Sequence, residues 1–420
     1  MNNTNKFYGF RCIGATERIN NNTFVTGQNN HDIIIGPSGS GKTGGYVVPN
    51  LQNPFESLIV VDTKGSLCKK FRDSLIKKGF KVDVLDFVNP EKSTCGFNPL
   101  SYLKMNKDGN VSQKDVKSLA ATLVPILDKR DLYWSLSARK YVAMLIAYVM
   151  EMLPEENQNM RSIFSLHMET CAKRTKEHFD ELCDDEPNSM FACLYKALSN
   201  IYQSDKTWAC VLDFASAALD SLDTKEMDEI WINKESYDFT LLGKEKSVLF
   251  VNISDMDRTF DAVLNLIYVQ GLNSLVELAD SNGDGRLNVP VRFIMDDFTS
   301  GAPIEHFDNI ISVIRSRDIS VSLIIQSLSQ LNAKYGYDNA KTILNNCDHI
   351  LYLGSNDIDT LRYISTRLNV AEHIIERLPK EKAYLFSSGK GGRLIDKMKP
   401  YSTLENDTLL NTKNNDNTRR

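Results

Sequence analysis

The sequence predicts an α/β fold: a P-loop nucleotide-binding domain interrupted by an inserted all-α domain. Three observations predict it. Strand and helix patterns alternate from residue 31 to about 104, which implies a parallel sheet covered on both faces. Helical periodicity with few strand signals fills 105–240. The alternating rhythm then resumes and runs to about 402. The expected organisation is therefore a lead-in over 1–30, a discontinuous nucleotide-binding domain over 31–104 and 241–402, the all-α domain over 105–240, and a disordered polar tail over 403–420.

The lead-in is rich in Asn and Thr and reads as irregular or hairpin-like. "HDIII" from His31 is a short apolar strand ending at Gly36. Then comes Gly36-Pro37-Ser38-Gly39-Ser40-Gly41-Lys42-Thr43, a full G-x-x-x-x-G-K-[ST] match. Its glycines let successive N–H groups turn inward onto phosphate oxygens, and the helix that follows adds its positive end. Lys42 is expected on the β- and γ-phosphates of ATP, and Thr43 on Mg²⁺. "SLIVVD" (57–62) is a buried strand, "SLCKKFRDSLIKKG" (66–79) an amphipathic helix and "FKVDVLDF" (80–87) another strand.

In the helical stretch Ser112 is a candidate cap. The longest uncharged apolar run, Tyr141 to Met150, is too short to cross a bilayer and reads as a buried helix. Strands are expected again at 246–254, 291–298, 319–327, 349–355 and 382–388, with a long helix at 260–280.

A P-loop needs an acidic site to hold Mg²⁺ and aim a water. Asp62 and the pair Asp296-Asp297 each end an apolar strand, where ligands sit in such sheets. Only the second offers two acids: Asp296 for the metal through its water shell, Asp297 to polarise the attacking water. Gln326 ends the strand that follows, where a polar residue can sense the γ-phosphate. Arg315 and Arg317 precede that strand. They read either as helix-end charges or as an arginine finger for a neighbouring subunit's nucleotide, with Arg317 as the fallback. "DSNGDGRLNV" (280–289) imitates a calcium loop through Asp280, Asn282, Asp284 and Gly285, but its twelfth position is Val291 rather than Glu. The basic glycine-rich stretch 387–400 could touch DNA phosphates or form a hairpin loop, and Lys64 could lie near the nucleotide or in a lumenal loop.

Composition narrows the field. The 420 residues carry a net charge of −5, so nucleic acid would have to be held by local patches or by a ring of subunits. None of the eight cysteines has C-x-x-C spacing, which points away from metal clusters and a disulfide framework and toward a reducing cytosol. The N-terminus has no apolar core of signal-peptide length.

The blocks "GPSGSGKTGGYVVPNLQ", "VVDTKGSL", "GFNPLSYL", "RFIMDDFTSGAPIEHFDNIISVIRSRDISVSLIIQSLSQLNAKYG" and "ILNNCDHILYLGSNDIDTLRYIS" stand in the same order as in the type IV secretion coupling proteins, and the chain resembles that TraG/TraD-like family from about residue 25 to 400. The resemblance implies a RecA-like motor domain with an all-α insertion, assembled as a homo-hexamer. It implies ATP hydrolysis coupled to moving single-stranded DNA, with its relaxase or relaxosome proteins, toward the components of a type IV secretion channel. It supports Lys42 and Thr43 on the nucleotide, Asp296 on the metal, Gln326 as sensor and Arg315 as the trans arginine.

This sequence departs from the family twice. Members usually carry Glu where Asp297 stands, and they usually begin with transmembrane helices. The second departure implies a cytoplasmic chain, peripheral on the membrane's inner face if a partner tethers it, or else a soluble or shortened variant. Two competing readings stay open: an ATP-binding docking platform with weak hydrolysis, and an FtsK/HerA-like double-stranded DNA translocase.

Overall fold

The computed structural model describes residues 8–126, 132–254 and 256–402; the tail expected to be disordered lies outside them. A hairpin, β1 (Phe10–Cys12) and β2 (Arg18–Asn20), opens the described chain. The central sheet holds β3 (Asp32–Ile35), β4 (Ser57–Asp62), β5 (Lys81–Asp86), β6 (Ser247–Asn252), β7 (Val291–Met295), β8 (Ile319–Ile325), β9 (His349–Tyr352), β10 (Lys382–Ser387) and β11 (Gly391–Asp396). Their spatial order is β11-β10-β9-β3-β8-β7-β4-β6-β5. Neighbours from β9 to β5 are parallel, and β10 and β11 add an antiparallel edge. Residues 388–396 of the glycine-rich stretch 387–400 thus form the turn and second strand of a hairpin. Gly389 and Gly391 take positive φ there, which explains a pattern that does not read as a strand.

β3, β4, β6, β7 and β8 are buried along their whole length, as unbroken apolar runs require when both faces are covered. Alternation sorts their side chains. Ile33 and Ile35 enter one core, which continues into the helical region; Ile34 enters the other, under the P-loop helix and α1 (Ser66–Lys77).

Between β5 and β6 the chain is helical. α2 (Leu132–Met152) forms its centre and buries Tyr141, Leu145 and Val149, so the apolar run Tyr141–Met150 is core. The chain's exit and return run side by side: Gly96 N–H donates to Glu235 at 2.7 Å and Tyr237 N–H to Gly96 at 3.0 Å. α3 (Asp261–Ser281) is long and apolar enough to cross a membrane by length and composition, which the sequence reading did not anticipate. It is instead packed on the sheet. A Cβ at Gly271 would lie 3.2 Å from Phe239 and 3.5 Å from Phe293, so the missing side chain sets how close the helix sits. α4 (Phe307–Ile314) and α5 (Leu328–Tyr335) follow β7 and β8.

Candidate nucleotide site

Strand order assembles the site. The P-loop leaves β3, Gln326 leaves β8 and the acid pair leaves β7, and these three strands are adjacent. Ile35 pairs with Ile325, and Met295 with Leu323. Parallel pairing therefore brings Gly36, Gln326 and Asp296 to one sheet edge although about 290 positions of sequence separate the extremes.

The loop is shaped to receive an anion. Gly39 and Gly41 have φ of 77° and 92°, which turn successive N–H groups to the concave side. The loop folds closely over Gly36, where a Cβ would come within 2.4 Å of Ser40 Oγ and 3.0 Å of Leu353 Cβ. That hydroxyl is buried without a protein partner, a polar atom aimed into the loop. Lys42 Nζ donates to the carbonyls of Gly36 at 2.7 Å and Pro37 at 3.0 Å. Burial lowers its pKa, against the pull of Asp296 and Asp297. The helix starts as a wide π-type turn, Thr43–Val47.

Thr43 Oγ1 donates to Asp296 Oδ2 at 2.7 Å. Burial raises the Asp296 pKa, opposed by the Thr43 bond and the Asp297 N–H at 3.0 Å. The donor set at this point, a threonine hydroxyl and a half-buried carboxylate beside a phosphate loop, fits Mg²⁺ with nucleotide.

Asp297 has φ of 54°, in the left-handed region. Asp and Asn enter that region several-fold more readily than other non-glycine residues, which gives a local reason for Asp here. Its Oδ2 accepts from Arg258 Nη2 at 2.9 Å and from the Ser300 hydroxyl. Burial opposes ionisation, yet these hydrogen bonds hold the carboxyl below its ordinary range. Lys334, on α5 behind Gln326, donates to the carbonyls of Phe298 and Ser300, and Phe298 N–H donates to Ile324 at 2.9 Å. The loop after the acids is thereby fixed to the strand that carries Gln326. Burial brings Lys334 down to about 8.

Arg315 is not at this edge. Val291 pairs with Ile319, so the turn Arg315–Arg317 lies at the opposite end of β7 and β8. Four strand residues separate that level from Met295, about 13 Å, before the approaching chain is added. Arg315 is exposed and makes no ion pair among the described residues, whereas Arg317 is tied to Asp280 at 2.7 Å. Asp280 therefore serves an arginine, and Asp284 caps the N–H of Arg286 at 3.0 Å. Asp62, the other candidate acid, accepts from the N–H groups of Leu67 and Cys68 at 2.8 and 3.0 Å and so caps α1. Lys64 is exposed.

Sequence reasoning missed Arg258, Ser300 and Lys334, which come from three separate elements. It also missed the segment after β11. There Tyr401 N–H donates to Gly44 at 3.0 Å, and Met398 and Pro400 wall a cavity of about 480 Å³ that opens on Gly39, Gly41 and Leu353.

The family described as type IV secretory system conjugative DNA transfer matches residues 3–370. Protein VirD4 of Rhizobium rhizogenes is 22% identical over 359 residues, 82% of this chain and 50% of VirD4. The chain spans about half the length of the curated relatives it matches. In structure, it resembles the bacterial conjugative coupling protein TrwBdeltaN70 in complex with sulphate, with a TM-score of 0.64 and 15% identity over 90% of this chain and 87% of that one. Plasmid coupling protein TrwB in complex with ADP and Mg²⁺ aligns with a TM-score of 0.63 and 17% identity over 89% of this chain and 87% of that one. At these identities the likeness carries the fold: a RecA-like P-loop domain with an all-α domain.

Proposed function

The chain belongs to the type IV secretory system conjugative DNA transfer family, and from that premise we propose that it is a coupling ATPase that recruits relaxase-bound single-stranded DNA to a secretion channel and moves it by hydrolysing ATP. The observation that carries the reading is the 2.7 Å bond from Thr43 to Asp296, which joins a phosphate-binding loop to a half-buried carboxylate.

In this reading Lys42 leaves the Gly36 and Pro37 carbonyls for the β- and γ-phosphates, and Thr43 and Asp296 would hold Mg²⁺, which when bound would supply neutralisation of the charge developing on the phosphoryl oxygens. Asp297 polarises the water, and Gln326, one strand from the P-loop, reports the γ-phosphate. The cavity beside Gly41 and Pro400 receives the base. Arg315 reaches the neighbouring subunit's nucleotide in a homo-hexamer, because its own lies at the other sheet edge. The chain works at the cytoplasmic face of the membrane beside a tethering partner or the channel components.

DNA transfer from donor cells tests this. Lys42→Ala and Asp297→Ala are each expected to abolish transfer at unchanged protein level. Transfer that survives Asp297→Ala but not Lys42→Ala would identify an ATP-binding platform that needs no hydrolysis.

A further inference from the structure

We propose that Arg258 is a positioning residue for hydrolysis: it holds the Asp297 carboxylate away from the nucleotide and lets go when a nucleic-acid phosphate takes its guanidinium. The inference rests on the ATPase reading of the site and adds its regulation.

The direction of the contact comes first. Arg258 follows β6, and β3, β8, β7, β4 and β6 are consecutive strands. Arg258 lies in the loop from β6 to α3, and β6 stands two strands beyond β7, on the side opposite β8 and β3. Its Nη2 meets Asp297 Oδ2 at 2.9 Å, and its Nη1 lies 3.6 Å from Asp261 Oδ1 at the start of α3. A carboxylate whose charge faces a guanidinium is a poor acceptor for a water's proton. Asp297 in this pairing is turned toward Arg258 and Ser300.

The pair is built to exchange. The Arg258 side chain is 40% exposed and that of Asp297 30%, so solvent screens it and a competing anion can reach it. Lys334 offers the contrast: it is half-buried and bound to two backbone carbonyls, and it cannot leave without freeing the loop. A guanidinium matches a phosphate in bidentate fashion as well as it matches a carboxylate. Asp261 remains beside Arg258 to keep the side chain near the edge after Asp297 is released. Met256, two residues earlier, is 92% exposed, and the exposed Lys64 follows Thr63, which lines the same pocket as Arg258. An anionic polymer on this edge would meet Lys64 and Arg258 together, with Met256 offering apolar contact to a base.

Steady-state ATP turnover of the purified full chain, with and without an oligo-dT strand, tests the proposal. Arg258→Ala is expected to raise the DNA-free kcat about tenfold with KM for ATP unchanged, and to make added DNA ineffective. Arg258→Lys keeps a cation and is expected to restore most of the DNA response. DNA stimulation of Arg258→Ala equal to that of the wild type, or a DNA-free kcat at or below it, would overturn the proposal. Hydrogen exchange over 256–260 and 297–300 in the ATPγS complex reads the release without turnover. It is expected to rise when oligo-dT is added; unchanged exchange overturns the proposal as well. A wild-type chain that shows the exchange response but no hydrolysis would sink the ATPase reading and leave the release mechanism standing.

Discussion

Thr43 and Asp296, 253 positions apart, share a 2.7 Å hydrogen bond across the carboxyl ends of β3 and β7. The hydroxyl donates to a carboxylate that burial would rather keep neutral. That tension favours a cation between them. Asp296→Asn is expected to weaken Mg²⁺ about 10–100-fold, the usual loss when a group supporting a metal site is removed. Mg²⁺ titration of ATP turnover reads this. An unshifted Mg²⁺ midpoint would take Asp296 out of the metal site.

Asp297 is expected to separate chemistry from backbone preference. Removing a positioned acid or base typically costs about 10²–10⁴ in rate, and Asp297→Ala should fall in that range. Asp297→Glu keeps a carboxylate and should keep turnover. Glutamate is less at home at φ of 54°, so the variant should be less stable by about 1 kcal/mol. Denaturant unfolding beside the turnover assay separates the two effects. An Asp297→Ala variant with wild-type kcat would mean that another group orients the water.

Arg315 and Arg317 are expected to differ in kind. Arg317 is paired with Asp280 near the surface, so Arg317→Ala should cost about 0.2–1 kcal/mol of stability and little turnover. Arg315→Ala should lose about 10³-fold or more in rate at unchanged stability, as a finger arginine does. Mixing Arg315→Ala with Lys42→Ala subunits should recover activity, because some interfaces then join an intact P-loop to an intact arginine. Near-normal turnover of Arg315→Ala alone would make it structural.

Lys334 supplies a pH test. Its folded pKa of about 8 lies below the ordinary 10.5, so between those values the unfolded chain binds more protons. Stability from this group therefore rises as pH rises from about 8 to 10.5. In Lys334→Met that rise should disappear from melting curves taken across the window. Parallel pH profiles for wild type and variant would show that the amine is not the titrating group.

The parts of the site that were legible in the sequence are local or lie at strand ends. Gly36 to Thr43 is a contiguous pattern with one backbone solution. Asp296 and Gln326 each close an apolar run, and parallel sheets place such residues at one edge. Arg258, Ser300 and Lys334 carry no such mark, since three elements bring them together only after folding. The left-handed turn at Asp297 was equally hidden, although it offers a reason for Asp where the family usually has Glu. The hairpin at 387–400 was one of two open readings, and β11 itself does not show as a strand because its glycines serve the turn and obscure alternation. α3 is legible as a long helix, but Asn265, Gln270 and Asn273 interrupt its apolar run and hide that it is long and apolar enough to cross a membrane.

The central claim is that this P-loop hydrolyses ATP in response to single-stranded DNA. Phosphate release by the purified chain with Mg²⁺ and ATP, measured with and without oligo-dT, tests it most directly, with Lys42→Ala as the control. The account predicts that DNA raises wild-type turnover and that Lys42→Ala shows none under either condition. Wild-type turnover that ignores the DNA, or that persists in Lys42→Ala, would contradict it.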